Sequence, residues 1–398
     1  MTTVLQLHQS QPREQNGRDS FDRYRIQTRA AAIAALAILE GRDTDRVYCD
    51  LHDDFVVRKS VSASKSYVFT QVKTRAKANQ NWSVNDLFGL VTGRGKAKPL
   101  PAQNSTNVKS SFVGKLLLHA ITFDKACESL VFQTNTNLED DVLAIIDDIA
   151  NGHFKNKYAA ALLQIFNDCY TTELTGKKLP DNEIKAYLAK LCFEADVQHL
   201  KLKNHGFEML VRERIHFYSE VDLERTELDE ILMKLLALVE KKSSGRIETI
   251  NEESIEKFAG ISIEDLLEIL SISKDAYYSL INAGDDRAIK AVSIIQRVLS
   301  KAGADPDEVE FCSRAKTEWD GWVRNNRHVL PELDIRAIFD GIRQLFAANI
   351  GIDGIVQLSR LRTEIHQLIT SLTQQGLLYD LTPQLIVGGF FSELVRHR

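Results

Sequence analysis

The pattern of apolar and polar residues predicts two regions of different architecture along this chain. In residues 18–155, short runs rich in β-branched and aromatic residues alternate with helix-like stretches, which is typical of a mixed α/β sheet. In residues 156–398, apolar residues recur mainly with helical spacing. The sequence therefore predicts a flexible N-terminus at 1–17, an α/β domain at 18–155 and a mainly α-helical region at 156–398.

The first element of the predicted α/β domain is a helix. Asp19 or Ser20 can cap its start, and Gly41, directly after Glu40, is a stop signal. The segment Ala30–Leu39 is apolar on nearly all sides. We therefore expect this helix to be buried against the sheet.

An acidic corner follows, and after it comes a strand that carries Gln71 and Lys73. Apolar and β-branched residues flank Asp53–Asp54 and fill Tyr67–Arg75, as two short strands require. The run Ser60–Ser66, rich in Ser and Lys, fits the turn between them. A hairpin would bring the acidic corner close to the second strand. Alternate side chains of a strand share a face, so Gln71 and Lys73 should point the same way.

A carboxylate, an amide oxygen and an ammonium group on one surface suit metal-assisted phosphodiester cleavage. Asp54 and Gln71 can hold Mg²⁺ or Mn²⁺ because such hard cations prefer oxygen ligands, and Asp53 is the second candidate ligand. The metal would polarise the scissile phosphate and lower the pKa of a bound water. Lys73 would orient that water or neutralise charge on the phosphate. The alternative is an ordinary hairpin corner, where Asp favours the turn and Lys solvates a strand edge.

The order of these motifs resembles the PD-(D/E)xK nuclease core, in the variant with Gln in place of the second acid. It is similar to the double-stranded DNA endonuclease domain of bacterial antiphage effectors over roughly residues 18–150. The segments that carry the resemblance are Tyr24-x-x-Gln27, Asp53–Val57, Phe69–Thr74 and Trp82–Leu87.

The resemblance implies a restriction-endonuclease-like fold that cleaves double-stranded DNA, with Asp54, Gln71 and Lys73 as catalytic residues. In that fold Gln27 would support a ligand or a phosphate; otherwise it is a buried, hydrogen-bonded glutamine. One group of these effectors is fused to a cyclic-oligonucleotide sensor, and another acts with a HerA-type hexameric ATPase. The resemblance therefore implies a HerA-like partner here.

Two alternatives remain open at this stage. The first is that the chain is a non-catalytic scaffold with a degenerate nuclease fold. The second is that it is a nuclease gated by a nucleotide second messenger. Gln71 in place of an acid lowers the charge that would hold a metal, which favours the scaffold. The intact Lys73 argues against decay, because a lysine is costly to retain on a core face.

The net charge of −5 is divided unevenly along the chain. Residues 1–110 carry 17 Lys and Arg against 10 Asp and Glu, a net of +7, so the remainder carries −12. A basic patch attracts a phosphate backbone without reading its sequence, although a merely solvated surface is the alternative. The candidate DNA-binding residues are Arg75, Lys77, Arg94, Lys96 and Lys98.

Composition bounds the class of protein. The chain has 398 residues, of which 44% are hydrophobic and 26% charged, as in ordinary globular proteins. It contains no run of 18 apolar residues, so we expect no membrane span. Its five cysteines show no zinc-type spacing, which favours reduced thiols and a cytoplasmic location.

The second region is predicted to serve assembly. Its acidic charge suits protein contacts better than DNA, so we expect a homo-oligomer that docks to the activating partner. Trp319 and Trp322 are either an interface anchor or core residues, and Leu385–Phe391 packs either on the last helix or in an oligomer interface. Leu200–Leu202 can form a short strand. The predicted helices are Tyr158–Tyr170, Asp181–Ala195, Thr226–Lys241, Ser254–Ala259, Ile263–Leu270, Ala288–Lys301, Asp334–Ala348 and Leu358–Gln374.

Overall fold

A computed structural model describes the chain as two compact units. The described residues are 15–61, 64–77, 79–92, 100–171, 176–202, 205–219, 225–282, 288–351, 356 and 358–397. One unit draws on Met1–Ile38, Arg42–Leu210 and Leu235–Ser262 and contains the β-sheet. The other draws on Leu39–Gly41, Val211–Lys234 and Ile263–Arg398.

A mixed sheet forms the centre of the first unit, which confirms the predicted α/β class. In the described residues it has six strands in the order β5-β4-β3-β2-β1-β6. Neighbours among β1, β2 and β3 are antiparallel, β6 is antiparallel to β1, and β3, β4 and β5 are parallel. The strands are β1 (Thr44–Cys49), β2 (Phe55–Val61), β3 (Ser64–Val72), β4 (Cys127–Gln133), β5 (Leu191–Glu194) and β6 (Gly260–Ile261).

The hairpin of β2 and β3 is longer than the sequence predicts. Ser60 pairs with Lys65, and Val61 pairs with Ser64. The prediction of a turn over Ser60–Ser66 is therefore wrong for its described residues. Backbone hydrogen bonds make the ladder, so exposed Ser and Lys side chains do not interrupt it. Residues 62–63 lie outside the described part of the chain.

Helix α1 (Gln15–Leu36) packs against β1, β2 and β3. It begins before Asp19, so the prediction of a flexible segment is wrong for residues 15–17, whereas residues 1–14 lie outside the described chain. A 3₁₀ turn, Ala37–Glu40, ends it, and Gly41 follows with φ of +67°. The predicted burial is confirmed, since Ala30–Ile33 and their neighbours are buried.

In the described residues between β3 and β5, this unit contains six further α-helices. Leu116 of α4 shares one hydrophobic core with Phe69 of β3 and Phe132 of β4, so this helix lies directly on the sheet. The helices are α2 (Val84–Phe88), α3 (Ser105–Ser110), α4 (Phe112–Phe123), α5 (Asp140–Ala150), α6 (Lys157–Tyr170) and α7 (Asp181–Leu188).

Two predictions in this region are corrected. The helix predicted over Asp181–Ala195 ends at Leu188, because the next residues pair with β4 as strand β5. The strand predicted at Leu200–Leu202 is wrong, since Gln198–Leu200 forms a 3₁₀ turn. Tertiary pairing at the sheet edge thus overrides the local helical pattern.

A glycine sets the close approach of α4 to α3. A Cβ added at Gly114 would lie 1.9 Å from the carbonyl oxygen of Val108. The Tyr170 hydroxyl of α6 donates to the Gly114 carbonyl at 2.9 Å. The position of α4 on the sheet therefore depends on the absence of a side chain at residue 114.

The remaining helices confirm the predicted mainly helical second region. Helices α8 (Gly206–Ser219) and α9 (Arg225–Ser244) have residues in both units, and α10 (Glu252–Phe258) belongs to the unit with the sheet. The helices of the second unit are α11 (Ile263–Ile269), α12 (Lys274–Asn282), α13 (Ala288–Lys301), α14 (Pro306–Asn326), α15 (Glu332–Asn349), α16 (Leu358–Gln374) and α17 (Pro383–Arg396). Among the described helices, none is long and apolar enough to cross a membrane.

The apolar clusters near the end of the chain are core, not surface. Trp319 and Trp322 of α14 are buried and stack with ring centroids 5.4 Å apart. Phe390 and Phe391 of α17 belong to the same core. The structure thus resolves both open alternatives in favour of packing within the unit, because a side chain buried there is not available to a partner.

We expect Gly114→Ala to lower the free energy of unfolding by about 1–3 kcal/mol, because its Cβ would overlap the α3 backbone. Gly321→Ala in α14 is the control, since a Cβ there meets open space and should stabilise the helix by up to ~1 kcal/mol. Urea denaturation followed by circular dichroism measures both. A neutral or stabilising Gly114→Ala would contradict the packing described.

Candidate active site

Asp54 directly precedes β2, and its carboxylate is the centre of the candidate site. Gln27 of α1 donates from Nε2 to Asp54 Oδ1 at 2.7 Å. The Val72 backbone N–H and Lys73 Nζ donate to Oδ2 at 2.6 and 3.0 Å. The Asp54 side chain is only 13% exposed. The structure therefore brings the acidic corner, the end of β3 and helix α1 together at one carboxylate.

Gln71 lies beside this carboxylate at the end of β3. The residue is 7% exposed, and its Oε1 has no hydrogen-bond partner among the described residues. Leaving a buried acceptor unpaired costs roughly 1–3 kcal/mol, so such an atom calls for an explanation such as an ion. An amide oxygen next to a carboxylate is a donor set that suits Mg²⁺ or Mn²⁺. The residues present therefore fit the cation predicted from the sequence.

The candidate site contains fewer acids than many metal sites. No group of three or more His, Cys, Asp or Glu among the described residues is arranged to hold a metal ion. The candidate ligands are one carboxylate, Asp54, and one neutral amide oxygen, from Gln71. A site of such low charge should bind a divalent cation more weakly than a site with several carboxylates.

Burial sets the protonation equilibrium of Asp54. Desolvation raises the pKa of this carboxyl above its ordinary value, although the Lys73 charge and the Val72 N–H partly oppose the shift. A raised pKa means that the folded chain holds the proton more tightly than the unfolded chain does. Burial therefore makes ionisation of Asp54 less favourable than it is in water, despite the nearby Lys73 charge.

Asp53 takes a different set of contacts from its neighbour. Its Oδ1 accepts the Asp54 backbone N–H at 3.0 Å, and its Oδ2 lies 3.2 Å from His119 Nε2. His119 is on α4, and its ring stacks on Phe69 with centroids 4.6 Å apart. Sequence analysis missed His119. The signal available was a single histidine within a mainly apolar helix, which does not indicate a partner.

Arg75 does not present a free cation. Its guanidinium forms an ion pair with Asp86 at 2.6 Å and lies 3.9 Å from the centre of the Trp82 ring. Its backbone N–H and carbonyl both bond to the side chain of Asn135. These contacts give Arg75 a structural role, and its predicted DNA contact stays a prediction.

Two further lysines, Lys77 and Lys115, are exposed. Lys77 lies just beyond Lys73 in the chain. Lys115 of α4 shares a helix face with Phe112 and His119, because residues three and four positions apart lie on one side of a helix. Phe112 lies beside Lys73, and His119 contacts the acidic corner. Sequence analysis missed Lys115, which is exposed and lies on the same face of α4 as Phe112 and His119. Arg94, Lys96 and Lys98 lie outside the described residues.

A family model described as the dsDNA endonuclease domain of Cap4 matches residues 15–243. The match covers more than half of the 398 residues. The chain belongs to the Cap4 double-stranded DNA endonuclease family.

The match to the Cap4 family contains every candidate site residue, from Gln27 to His119. Among solved structures, the chain is similar to the Acinetobacter baumannii Cap4 SAVED/CARF-domain containing receptor, at 12% identity and a TM-score of 0.37. That similarity covers 67% of this chain and 48% of the receptor, so the chain matches about half the length of this relative. No curated protein matches the chain.

The raised pKa of Asp54 predicts a pH dependence of stability. The folded carboxyl holds its proton more tightly, so in EDTA wild type should lose stability relative to Asp54→Asn as pH rises from 3.8 through the raised pKa. Asp86→Asn is the opposite control. Despite partial burial, hydrogen bonds from Ser83 and the charge of Arg75 hold the Asp86 pKa below its usual range. The stability of wild type relative to Asp86→Asn should therefore increase as pH rises.

Thermal unfolding midpoints at a series of pH values measure both differences. Differences of the same sign for Asp54→Asn and Asp86→Asn would contradict the assignment of opposite environments to the two carboxyls.

Proposed function

We propose that this protein hydrolyses phosphodiester bonds of double-stranded DNA with a divalent cation, as an effector of bacterial antiphage defence. One observation carries the proposal: in a member of the Cap4 endonuclease family, Asp54, Gln71 and Lys73 meet at one corner of the sheet. The donors around Asp54 fix its orientation before any substrate arrives. We further propose that this corner is a PD-(D/E)xK site in a restriction-endonuclease-like fold.

The proposed chemistry divides among three side chains. Asp54 and Gln71 would hold Mg²⁺ or Mn²⁺, which when bound supplies Lewis acidity toward the phosphate and the attacking water. A carboxylate has about four acceptor positions, and protein donors use three at Asp54, so capacity for a cation remains. Lys73 has three N–H donors and gives one to Asp54. The others can orient a water or offset charge on the phosphate.

The scaffold alternative explains these features less well. A fold that had lost catalysis would gain stability by replacing a buried carboxylate and an unpaired amide oxygen with apolar groups. Asp54 and the Gln71 Oε1 atom are instead both present and buried at one corner. This combination of costly groups supports a working site, because such costs concentrate where function requires them.

DNA would reach the site along the surface that carries Lys77 and Lys115. Both ammonium groups are exposed, and no ion pair of either occurs within the described part of the chain. Exposed lysines grip phosphates without reading bases, so we propose cleavage with little sequence preference. Arg94, Lys96 and Lys98 remain proposed contacts on the same basis of charge.

Regulation by a partner rests on motif resemblance alone. We propose a HerA-type hexameric ATPase as the activator, with gating by a nucleotide second messenger as the alternative. Self-association also remains a proposal. The clusters first considered as interface anchors, Trp319 with Trp322 and Leu385–Phe391, are part of a core and do not support it.

We expect Asp54→Ala and Lys73→Ala to reduce DNA cleavage by about 100-fold or more, because each removes a group that acts on the reacting phosphate or its water. Gln71→Leu should also lose activity, whereas Gln71→Glu should retain it and need less cation. Lys125→Ala, an exposed lysine just before β4, is the control.

Cleavage of linear double-stranded DNA over a Mg²⁺ and Mn²⁺ series, with and without the HerA-type ATPase, measures these effects. A folded Lys73→Ala protein that cleaves at the wild-type rate would refute the site.

We expect Lys77→Ala and Lys115→Ala together to weaken DNA binding equally for all sequences. The slope of log affinity against log salt should fall by about one unit per lost phosphate contact. Lys125→Ala should leave the slope unchanged. Fluorescence anisotropy with Asp54→Ala as the background measures binding without cleavage. An unchanged slope in the double variant would place the DNA path elsewhere.

A further inference from the structure

We infer that Asp53 and His119 form a positioning pair that fixes Asp54, and that Asp53 is not itself a metal ligand. The inference rests on the proposed function and deepens it. It assigns different roles to Asp53 and Asp54, two adjacent carboxylates whose roles cannot be distinguished from the sequence. It also gives α4 a part in the site through a residue 66 positions away from Asp53.

Both carboxylate oxygens of Asp53 contact other groups of the protein. One oxygen accepts the backbone N–H of Asp54, and the other meets His119 Nε2. A carboxylate oxygen accepts hydrogen bonds, so the contact at Oδ2 is a hydrogen bond in the tautomer of His119 that carries its hydrogen on Nε2. The Asp53 side chain is 7% exposed, about half the exposure of Asp54. Asp54, by contrast, contacts Lys73 and lies beside Gln71.

His119 is itself held in place. Its ring stacks on Phe69 of β3, which is buried, with an interplanar angle of 13°. The rings of Phe123 and His52 lie within 6.4 Å of it. Close packing of α4 at Gly114 fixes the helix that carries it. His119 is therefore a rigidly held hydrogen-bond donor to Asp53 and not a mobile side chain that could contact substrate.

The chain of contacts leads from α4 to the proposed cation site. His119 orients Asp53, Asp53 holds the Asp54 backbone N–H, and Gln27 holds the far oxygen of Asp54. Asp54 is thus fixed from both the backbone and the side chain. Partners that orient a metal ligand typically contribute 10–100-fold to metal affinity. The pair should act on cation affinity and leave the chemical step intact once the cation is bound.

Isothermal titration of the full chain with Mn²⁺, without DNA, tests the inference. His119→Phe keeps the ring stacking and removes the donor, so we expect about 10-fold weaker Mn²⁺ binding. His119→Gln can place a donor near the same position and should recover most of that loss. His52→Phe is the matched control, because His52 neighbours His119 and makes no hydrogen bond to Asp53 or Asp54 in the described structure.

Asp53 variants separate positioning from ligation. Asp53→Asn keeps the oxygen that accepts the Asp54 N–H, so Mn²⁺ affinity should stay within about 3-fold of wild type. Asp53→Ala should weaken binding as His119→Phe does. For DNA cleavage, the half-saturating Mn²⁺ concentration should rise in His119→Phe while kcat at saturation is retained. Because His119→Phe leaves a buried oxygen of Asp53 unpaired, its thermal midpoint in EDTA should fall, so the retained kcat together with the raised Mn²⁺ requirement is the readout that a purely structural role would not produce.

The possible results distinguish this inference from the proposed function. Unchanged Mn²⁺ affinity in His119→Phe, or loss of kcat at saturating Mn²⁺, would overturn the positioning role while leaving the Asp54 site intact. If Asp53→Asn abolished Mn²⁺ binding as Asp54→Ala does, Asp53 would be a metal ligand, and the positioning role would again be overturned. Wild type that binds no Mn²⁺ would overturn the proposed metal centre, and this inference with it.

Discussion

The candidate site depends above all on the register of the β2–β3 hairpin. Phe55 pairs with Thr70, so Asp54, one residue earlier, meets the end of β3 where Gln71, Val72 and Lys73 follow. The Val72 N–H that binds the Asp54 carboxylate belongs to the backbone of that same strand end. A slip of one residue would turn Gln71 and Lys73 to the opposite face of the sheet. The backbone ladder thus fixes the geometry of all three side chains.

Helices on the sheet complete what the hairpin begins. Helix α1 supplies Gln27 to one oxygen of Asp54, while α4 supplies His119 to Asp53. The result is a carboxylate whose pKa is raised by burial and whose hydrogen-bond donors are already in place. Burying such a carboxylate lowers the stability of the fold but preorganises the site. Active sites commonly reduce the stability of the folds that hold them in this way.

The sequence was most informative where the site depends on local structure. The proximity of Asp54 to Gln71 and Lys73 was predicted from an acidic turn and from the alternation of side chains along a strand. Gln27 was predicted from its place in a motif. His119 could not be found in this way, because its contact with Asp53 depends on how closely α4 packs at Gly114. Strand β5 was mistaken for helix, since pairing at the sheet edge outweighed a short helical pattern. The Trp319 and Trp322 pair was ambiguous, because apolar side chains serve cores and interfaces equally well.

The most direct test of the central claim is the location of a bound cation. Crystals of the protein soaked in Mn²⁺ and measured for anomalous scattering would show the ion independently of any cleavage assay. The account predicts a peak within roughly 2–2.3 Å of an Asp54 carboxylate oxygen and the Gln71 Oε1 atom. An ion held elsewhere, or one ligated by Asp53 with Gln71 uninvolved, would contradict it.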